Sequence, residues 1–408
     1  MVEWPGRKFA DAVTLMKNID YRIGSSEVEH SPLAVFSDEV CAFLQDLSQT
    51  ILRDSEARRY PDVIAVGFWC RNGNIQTKKK EFGEVAGRCG RGLAFHITPG
   101  NIPVNFFFSY LFSLLAGNAN IVRLPSRPFP QIGILLRILA QCLEKAPEIA
   151  HRTAFVAYPS ADDEITEAFC AKADVRVIWG GDNTVKKIRQ MPAMPRCVDI
   201  TFANRFSIAI LDSQKMAEAS DKEISQLAHD FYNDTYLMDQ NACSSPRICF
   251  WTGHCAQGRK RFWKALAAEA QKRYVIPASV CVDKYTRFCQ DCIDRTDVIG
   301  ETHFGNLLRI VSLRGVPEDI AKCEGFGGYF YECELDSFQS LTPLMDERIQ
   351  TIVYWGISPD ELCGELMRNH VRGVDRIVPP GSAMDIDTIW DGFDLVASMS
   401  RIISIQRR

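Results

Sequence analysis

The fold is indicated most clearly by residues 92–124, which read GLAFHITPGNIPVNFFFSYLFSLLAGNANIVRL. Residues 92–97 are a short apolar run that predicts a buried strand, and a turn rich in Pro, Gly and Asn follows it. The apolar stretch that continues to Ala116 predicts a helix, and residues 120–124 predict the next strand. A strand, a helix and a second strand in this order predict neighbouring strands of a parallel sheet.

The same alternation continues on both sides of about residue 203. Before that point, strand patterns at 153–158 and 175–179 are each succeeded by a helical pattern. After it, the rhythm restarts with strands predicted at 207–211 and 247–251, each again followed by a helical stretch. We therefore predict an α/β protein with two doubly wound domains.

The region before the first of these strands is less regular. Apolar residues from Val40 to Ile51 recur at helical spacing and predict one amphipathic helix. Residues 61–69 read as a strand, and Asn72 with Gly73 after it is a typical hairpin-turn pair. The three lysines at 78–80 are interpreted as a solvated charge run.

Composition excludes several classes of protein. A chain of 408 residues with 46% hydrophobic and 24% charged residues is neither disordered nor a small disulfide scaffold. The 47 basic and 51 acidic side chains give a net charge of −4, which provides no general positive field for nucleic acid. The apolar stretch 101–121 is interrupted by Asn, Pro, Ser and Gly, so we expect a core helix and no membrane span.

Fifteen cysteines are scattered along the chain, and the residues from Met1 to Pro5 have no features of a secretory signal. This combination predicts a cytoplasmic protein with reduced thiols. Cys289 and Cys292 form a C-x-x-C pair, but no convincing second pair or His accompanies them, so no metal site is predicted.

Cys243 is the strongest candidate for chemistry. It lies in the small, polar run Gln240–Pro246 between a predicted helix and a predicted strand, where catalytic groups are often found. A thiolate there would be a good nucleophile for acyl transfer. The alternative is a small buried apolar residue. His229, fourteen residues earlier, is only a weak candidate for a general base.

Two turns are weaker candidates. Asn101, between a strand and a helix, could donate its amide to an oxyanion, although turn chemistry alone explains it. Gly180, Gly181 and Asp182 lie between a strand and a helix, where backbone N–H groups can bind phosphate. No G-x-G-x-x-G is present, which argues against an ordinary Rossmann dehydrogenase.

Together these pieces resemble the aldehyde dehydrogenase superfamily, and more closely the LuxC acyl-CoA reductase family, which includes the fatty-acyl reductase of bacterial luminescence. The resemblance covers roughly residues 60–408. The stretches that carry it are NANIVRLPS (118–126), QNACSSP (240–246), VDRIVP (374–379) and IWDGFD (389–394).

The resemblance implies reduction of a fatty acyl thioester, acyl-CoA or acyl-protein, to the aldehyde. Cys243 would form an S-acyl enzyme, Asn101 and the Cys243 backbone N–H would hold the oxyanion, and a reduced nicotinamide would supply hydride. Oxidising relatives have a Glu followed by Leu-Gly-Gly-Lys, whereas residues 200–205 here carry no carboxylate. That loss fits a reductase, because a base for hydrolysis would destroy the acyl-enzyme. The relatives' Glu-Ile-Phe-Gly-Pro has no clear counterpart near residues 325–328, which leaves the nicotinamide ribose contacts unassigned.

The resemblance also implies a division of the chain. It places a cofactor-binding domain at 1–203, with an oligomerisation hairpin at about 78–95, and a catalytic domain at 204–365. The segment 366–408 would return to the cofactor domain or an oligomer interface. A homo-oligomer and a complex with an acyl-protein synthetase are implied as well. A reductase of a small acyl-CoA or acyl phosphate, and a non-catalytic subunit of an acyl-transfer complex, remain alternatives.

Arg127 indicates which cofactor is used. Where the superfamily commonly reads Lys-Pro-Ser/Ala-Glu, this chain has Leu124-Pro125-Ser126-Arg127, so a guanidinium replaces the acid that accepts from the ribose. Arginine binds a 2′-phosphate, which predicts NADPH over NADH. The alternative is that Arg127 points into solvent. The predicted cofactor-binding residues are Arg123, Ser126, Arg127, Gly180, Gly181 and Asp182.

Overall fold

The computed structural model describes residues 19–100 and 102–406. The chain forms two compact units. One contains the residues up to Ala203 together with those from Thr388 onward, and the other contains Asn204–Asp387. Each unit is described separately below.

The first unit is built on a six-stranded sheet. Its strands and helices up to Ala203 are β1 (Asp20–Ile23), α1 (Asp38–Arg53), α2 (Pro61–Trp69), α3 (Asn72–Phe82), β2 (Arg88–Gly90), β3 (Leu93–Ile97), α4 (Asn105–Leu115), β4 (Ala119–Arg123), α5 (Pro130–Leu143), α6 (Pro147–Ala150), β5 (Thr153–Ala157), α7 (Asp163–Cys170), β6 (Val175–Trp179), α8 (Asp182–Arg189) and β7 (Val198–Phe202). The strand order is β1-β5-β4-β3-β6-β7, and β3 to β7 pair in parallel while β1 is antiparallel.

This strand order is that of a doubly wound sheet. From β3 the chain moves first to β4 and β5 on one side, and then to β6 and β7 on the other. The carboxyl ends of β3 and β6 therefore lie at a switch point, where ligands bind in open α/β sheets. The helix predicted from the apolar stretch is confirmed as α4, all of whose residues are buried. Among the described residues, no helix combines the length and apolar character needed to cross a membrane.

Three predictions for residues 61–95 are wrong. Residues 61–69 form helix α2 and not a strand, because Pro61 begins a helix whose buried residues pack against α1. Asn72 and Gly73 open helix α3 instead of a hairpin turn. Residues 78–95 consequently form no hairpin with each other. They comprise the end of α3, the short β2 and the start of β3.

The second unit is also an α/β unit. Its elements are β8 (Phe206–Asp212), α9 (Ser213–Glu218), α10 (Asp221–Thr235), β9 (Pro246–Thr252), α11 (Ala256–Arg273), α12 (Ala278–Asp294), β10 (Val298–Phe304), β11 (Leu308–Leu313), β12 (Tyr329–Glu334), β13 (Ile349–Trp355), α13 (Pro359–Arg368) and β14 (Arg376–Val378), with short 3-10 turns at Tyr236–Met238, Ile320–Lys322, Phe338–Ser340 and Thr342–Leu344. The strand order is β10-β11-β12-β9-β8-β13-β14, parallel except for the edge strand β10.

Both faces of the central strands of this second sheet are buried. Along β8, Ile208 and Ile210 belong to one apolar cluster, whereas Ala209 and Leu211 belong to another. Continuous apolar runs are typical of parallel strands that are covered on both sides. The predicted α/β architecture with two mostly parallel sheets is therefore confirmed.

The C-terminal residues complete the first unit. They form β15 (Ile389–Trp390), β16 (Phe393–Asp394), α14 (Leu395–Ser398) and β17 (Ser400–Ile402). Strand β17 pairs antiparallel with β2, and the Asn118 side chain donates to the Met399 carbonyl at 3.0 Å. The predicted start of this segment at residue 366 is too early, because α13 and β14 belong to the second unit.

Candidate active site

The loop before β9 presents Cys243. Asp239 and Gln240 both adopt positive φ, at 50° and 60°, which is uncommon for residues other than glycine. The fully buried Gln240 side chain holds this shape. Its amide nitrogen donates to the Pro246 carbonyl at 3.0 Å, and its oxygen accepts from the Gly328 N–H at 3.1 Å. Gln240 thus closes the loop upon itself and fixes it to the segment before β12.

Two strands of the sheet contact Cys243, one at its sulfur and one at its carbonyl oxygen. The side-chain amide nitrogen of Gln350, in β13, donates to Sγ at 3.2 Å. The hydroxyl of Ser207, in β8, donates to the Cys243 carbonyl at 2.7 Å. Cys243 is half-buried. Its thiol is therefore held by neighbours while it remains reachable, as a nucleophile requires.

The two serines after Cys243 are anchored in the same unit. Ser245 donates to the Asp234 carbonyl at 2.7 Å, and the Asp234 carboxylate accepts from the backbone of Gly381 and Ala383 at 2.7 and 2.9 Å. Burial raises the pKa of the Asp234 carboxyl to about 7. Ser244 lies 3.5 Å from the Met384 sulfur. These contacts join the cysteine loop to residues 381–384.

The charged side chain of Arg247 also acts on this site. Burial lowers the pKa of its guanidinium, while the charges of Glu324 and Cys243 oppose that change. A cation near a cysteine favours the thiolate. The positive charge of Arg247 therefore favours the Cys243 thiolate, in addition to the hydrogen bond from Gln350.

His229 is engaged elsewhere. Its Nδ1 lies 2.9 Å from the Glu269 carboxylate, and its Nε2 lies 3.4 Å from the Asn233 amide. Glu269 also pairs with Lys272 and Arg273, and the hydrogen bond to His229 leads the causes that lower the pKa of its carboxyl. His229 thus belongs to an ion-pair cluster of α10 and α11.

Asn101 and the C-x-x-C pair are the next residues that the sequence singled out. Asn101, the predicted oxyanion donor, lies outside the described residues. Cys289 and Cys292 lie on α12, half-buried and exposed respectively. No group of three or more potential metal ligands is present among the residues that the structure describes.

The candidates that follow β4 lie in the first unit. The Arg123 guanidinium stacks 4.5 Å from the Tyr158 ring centroid, and the Arg123 carbonyl accepts from Thr98 at 2.6 Å. Ser126 and Arg127 are exposed in the loop that leads to α5. The Arg127 guanidinium lies 5.0 Å from the Phe129 ring centroid. An exposed guanidinium resting on an aromatic ring is available to an anionic ligand.

Gly180 and Gly181 connect β6 to α8. Gly181 is the N-cap of α8, and a Cβ at Gly180 would crowd the Thr184 side chain at 3.0 Å. Asp182 occupies the first turn, where its carboxylate interacts favourably with the helix dipole. That charge competes with a phosphate, so a phosphate would rely on the backbone N–H groups beside it.

A nicotinamide dinucleotide fits these residues. The loops after β3, β4 and β6 follow the carboxyl ends of three adjacent parallel strands at the switch point. They offer a guanidinium at Arg127 and a glycine-capped helix start at Gly181. At the end of β6, the Trp179 ring stacks on Phe202 with centroids 3.5 Å apart.

Sequence reasoning missed Gln350 and Ser207. A signal was present, because Gln350 interrupts the apolar run of β13. Polar side chains in parallel strands that are buried on both faces need hydrogen-bond partners, and such an interruption points to a built polar site.

The comparisons with known proteins agree with this description. The family model "Acyl-CoA reductase (LuxC)" matches residues 74–296, more than half of the chain. A long-chain acyl-protein thioester reductase of Aliivibrio fischeri is 27% identical over 169 residues, which are 40% of this chain and 32% of the relative. The protein of that name from Vibrio harveyi gives the same identity and coverage. The chain thus matches about a third of the length of these curated relatives.

Solved structures show the same fold. An oxidoreductase from Marinobacter aquaeolei superposes with a TM-score of 0.66 at 12% identity, over 100% of this chain and 92% of that one. The 1-pyrroline-5-carboxylate dehydrogenase of Thermus thermophilus gives 0.62 at 11% identity, over 97% and 85%. The fold is therefore of the aldehyde dehydrogenase type. With the family match across the cysteine loop, these findings establish that the chain belongs to the LuxC acyl-CoA reductase family.

Proposed function

We propose that the chain reduces a fatty acyl thioester, either acyl-CoA or acyl-protein, to the aldehyde through an S-acyl intermediate on Cys243. The observation that carries this proposal is the half-buried Cys243 thiol, held in a closed loop with an amide donor 3.2 Å from its sulfur. A scaffold subunit has no need of a nucleophile held in this way, which disfavours the non-catalytic alternative.

The chemistry requires the sulfur to act twice. The Cys243 thiolate attacks the thioester carbonyl carbon, a bond from Sγ to carbon forms, and the carrier's sulfur leaves as a thiolate. A bound reduced nicotinamide supplies the hydride that converts the acyl group to the aldehyde oxidation level. Release of the aldehyde then breaks the Sγ–carbon bond and returns the electron pair to sulfur. Asn101 and the Cys243 backbone N–H are the proposed donors to the oxyanion.

The proposed acyl-enzyme lacks the base that would hydrolyse it in oxidising relatives. The segment 200–205 carries no carboxylate that could activate a water molecule. The preceding Asp199 is engaged by Arg176, with nitrogen–oxygen distances of 2.6 and 2.7 Å. A thioester that is not hydrolysed persists long enough to be reduced.

We assign the cofactor to the first unit and take it to be NADPH. Arg127 and Ser126 would hold the 2′-phosphate, Arg123 would line the same loop, and the N-terminus of α8 at Gly180, Gly181 and Asp182 would face the pyrophosphate. In this proposal the first unit binds the cofactor and the second unit carries out catalysis, which keeps the division of roles predicted from the sequence. All fifteen cysteines are thiols, which suits the reducing cytoplasm.

The partners follow from the same proposal. The acyl donor is a CoA or protein thioester, an acyl-protein synthetase would supply the acyl group, and the enzyme would work as a homo-oligomer. A small acyl-CoA or an acyl phosphate is the alternative substrate, and chain-length preference separates the two.

The test is an assay with acyl-CoA and acyl-protein donors of varied chain length, following loss of NADPH and formation of aldehyde. Cys243→Ala should abolish aldehyde formation and acyl labelling of the protein. The matched control Cys255→Ala, at another half-buried thiol of the second unit, should retain both. Acyl labelling that survives in Cys243→Ala would refute the assignment, and a preference for short chains would favour the alternative substrate.

A further inference from the structure

Gln350 is a polar side chain in an unusual place. It is fully buried in β13, a strand of the second sheet whose neighbouring residues Ile349 and Ile352 belong to the apolar core. Burying an amide without hydrogen bonds is costly, so its partners indicate why it is there. One partner is the sulfur of Cys243, 3.2 Å from the Gln350 amide nitrogen.

The amide has a second partner beside it in the strand. The Thr351 hydroxyl donates to Gln350 Oε1 at 3.3 Å. In this arrangement the carbonyl end of the amide faces Thr351 and the N–H end faces the sulfur. Thr351 is itself fixed to the cysteine loop, since its N–H donates to Ser207 Oγ, and Ser207 donates to the Cys243 carbonyl.

The backbone of β13 is held from its other side. The N–H groups of Val374 and Asp375 donate to the carbonyls of Ile349 and Gln350 at 2.7 and 2.9 Å. The Arg205 guanidinium pairs with the Asp375 carboxylate and also donates to the Ile349 carbonyl at 2.7 Å. Three donors thus fix two consecutive peptide units of the strand that carries Gln350.

The segment that provides these contacts is strained. Val374 has a φ of +67°, a left-handed conformation that a β-branched residue rarely adopts. Gly373 before it lies so close to the Asp346 carbonyl that a Cβ would collide with it. Strain of this kind persists only where the surroundings enforce it, and it is concentrated at functional sites.

We infer that Gln350 is a further catalytic residue, whose amide N–H stabilises the anionic sulfur of Cys243, and that residues 373–375 with Arg205 position it. The inference rests on the proposed function. The sulfur carries negative charge before it attacks the thioester and again when the aldehyde leaves. A hydrogen bond to an ionised acceptor is stronger than one to its neutral form, so the donor favours both steps.

Other charges act on the same sulfur. Arg247 interacts electrostatically with Cys243, and Glu324 faces Arg247. The Arg205 guanidinium is paired with Asp375. Substitution of the uncharged Gln350 leaves all of these charges in place, so a change in the titration of the sulfur reports on the amide itself.

The experiment measures alkylation of Cys243 by iodoacetamide as a function of pH, without substrate. Mass spectrometry of the peptide that contains Cys243 separates it from the other cysteines. Gln350→Met keeps the length of the side chain but removes the donor. In this variant the pH midpoint of Cys243 alkylation should rise by about one unit, so that about tenfold less thiolate is present below the midpoint. Gln350→Glu, which replaces the donor with an acceptor and adds a negative charge beside the sulfur, should shift this midpoint further. The half-buried Cys197 of the first unit is the internal control and should be unchanged.

An unshifted Cys243 midpoint in a folded Gln350→Met protein overturns the inference. If that variant does not fold, Thr351→Val decides instead, because it frees the amide to rotate and should give a smaller rise, whereas no rise would overturn the inference. If Cys243→Ala still forms aldehyde, the proposed function is contradicted. The effect of Gln350 on the alkylation midpoint is tested separately, because that midpoint is measured without substrate.

Discussion

Arg127 is the side chain that most directly relates this sequence to a choice of cofactor. It is exposed in the loop after β4, and its guanidinium rests on the Phe129 ring. Residues 124–127 of this loop contain no acidic side chain. In the proposed site, a second phosphate on the adenosine ribose would meet a positive charge there, whereas an unphosphorylated ribose would gain nothing from it.

We therefore expect the wild-type protein to have a higher kcat/KM with NADPH than with NADH. Arg127→Glu should lower the ratio of kcat/KM with NADPH to kcat/KM with NADH by tenfold or more, since a charged hydrogen bond contributes about 1.5–3 kcal/mol. Steady-state kinetics with both cofactors measure it, and Arg22→Glu, a charge reversal on the edge strand β1, is the control. A wild-type preference for NADH, or an unchanged ratio in Arg127→Glu, would contradict the role given to Arg127.

At the scale of elements, His96 links a strand, a helix and a second strand. From β3, its ring nitrogens lie 2.8 Å from Ser109 Oγ in α4 and 3.1 Å from Asn120 Oδ1 in β4. The Ser109 hydroxyl oxygen also accepts from Trp179 Nε1 at 3.1 Å, so the hydroxyl proton is best donated to the His96 ring. Burial lowers the pKa of His96 to about 4, because the interior disfavours the charged ring.

This predicts an acid-labile first unit. The unfolded chain binds a proton on His96 below about pH 6.5, whereas the folded protein does not bind one until about pH 4. Stability from neutral His96 is therefore complete above pH 6.5, and about 3 kcal/mol is lost as the pH falls to 4. Urea titrations across this range should show that loss in wild type relative to His96→Gln. The exposed His151→Gln is the control, and parallel profiles for wild type and His96→Gln would contradict the prediction.

The elements also show where local patterns are reliable. Strands β3 to β6 could be predicted because each is a short apolar run bounded by turn residues. Residues 61–69 have the same apolar character, yet they form α2, because a short apolar run does not distinguish a strand from a buried helix. Packing of Val63 and Val66 in the core decides the outcome, and that packing depends on α1.

The candidate site was predictable only in part for a related reason. Cys243 could be identified because the polar residues that carry it are contiguous. Gln350 and Ser207 could not be, since each is more than thirty residues away in sequence. Only the register of β8 and β13 in the folded sheet brings Gln350 to the sulfur of Cys243 and Ser207 to its carbonyl. The motif at 374–379 could be read from the sequence, but its role in holding β13 required the structure.

For the whole molecule, the end of β17 and the tail after it bear on assembly. Ile402, Ile403 and Ile405 are 61%, 51% and 68% exposed. Three isoleucines within four positions form an apolar strip that a second copy of the chain would cover.

Light scattering of the wild-type protein at micromolar concentration should therefore give a multiple of 46.0 kDa. The double substitution Ile403→Glu and Ile405→Glu should shift the particle towards the single-chain mass, because it places charges in the strip. Met367→Glu, at an exposed apolar residue of the second unit, should leave the mass unchanged. A wild-type particle of 46 kDa would argue against the assembly.

The return of residues 388–406 to the first unit sets an order of events during synthesis on the ribosome. Strand β2 can pair with β17 only after the whole of Asn204–Asp387 has been translated. At about 5–20 residues per second, this takes on the order of 10–40 s. The second unit, continuous in sequence, can fold within that interval, whereas the first remains incomplete, with the edge of β2 open to chaperones or to neighbouring nascent chains.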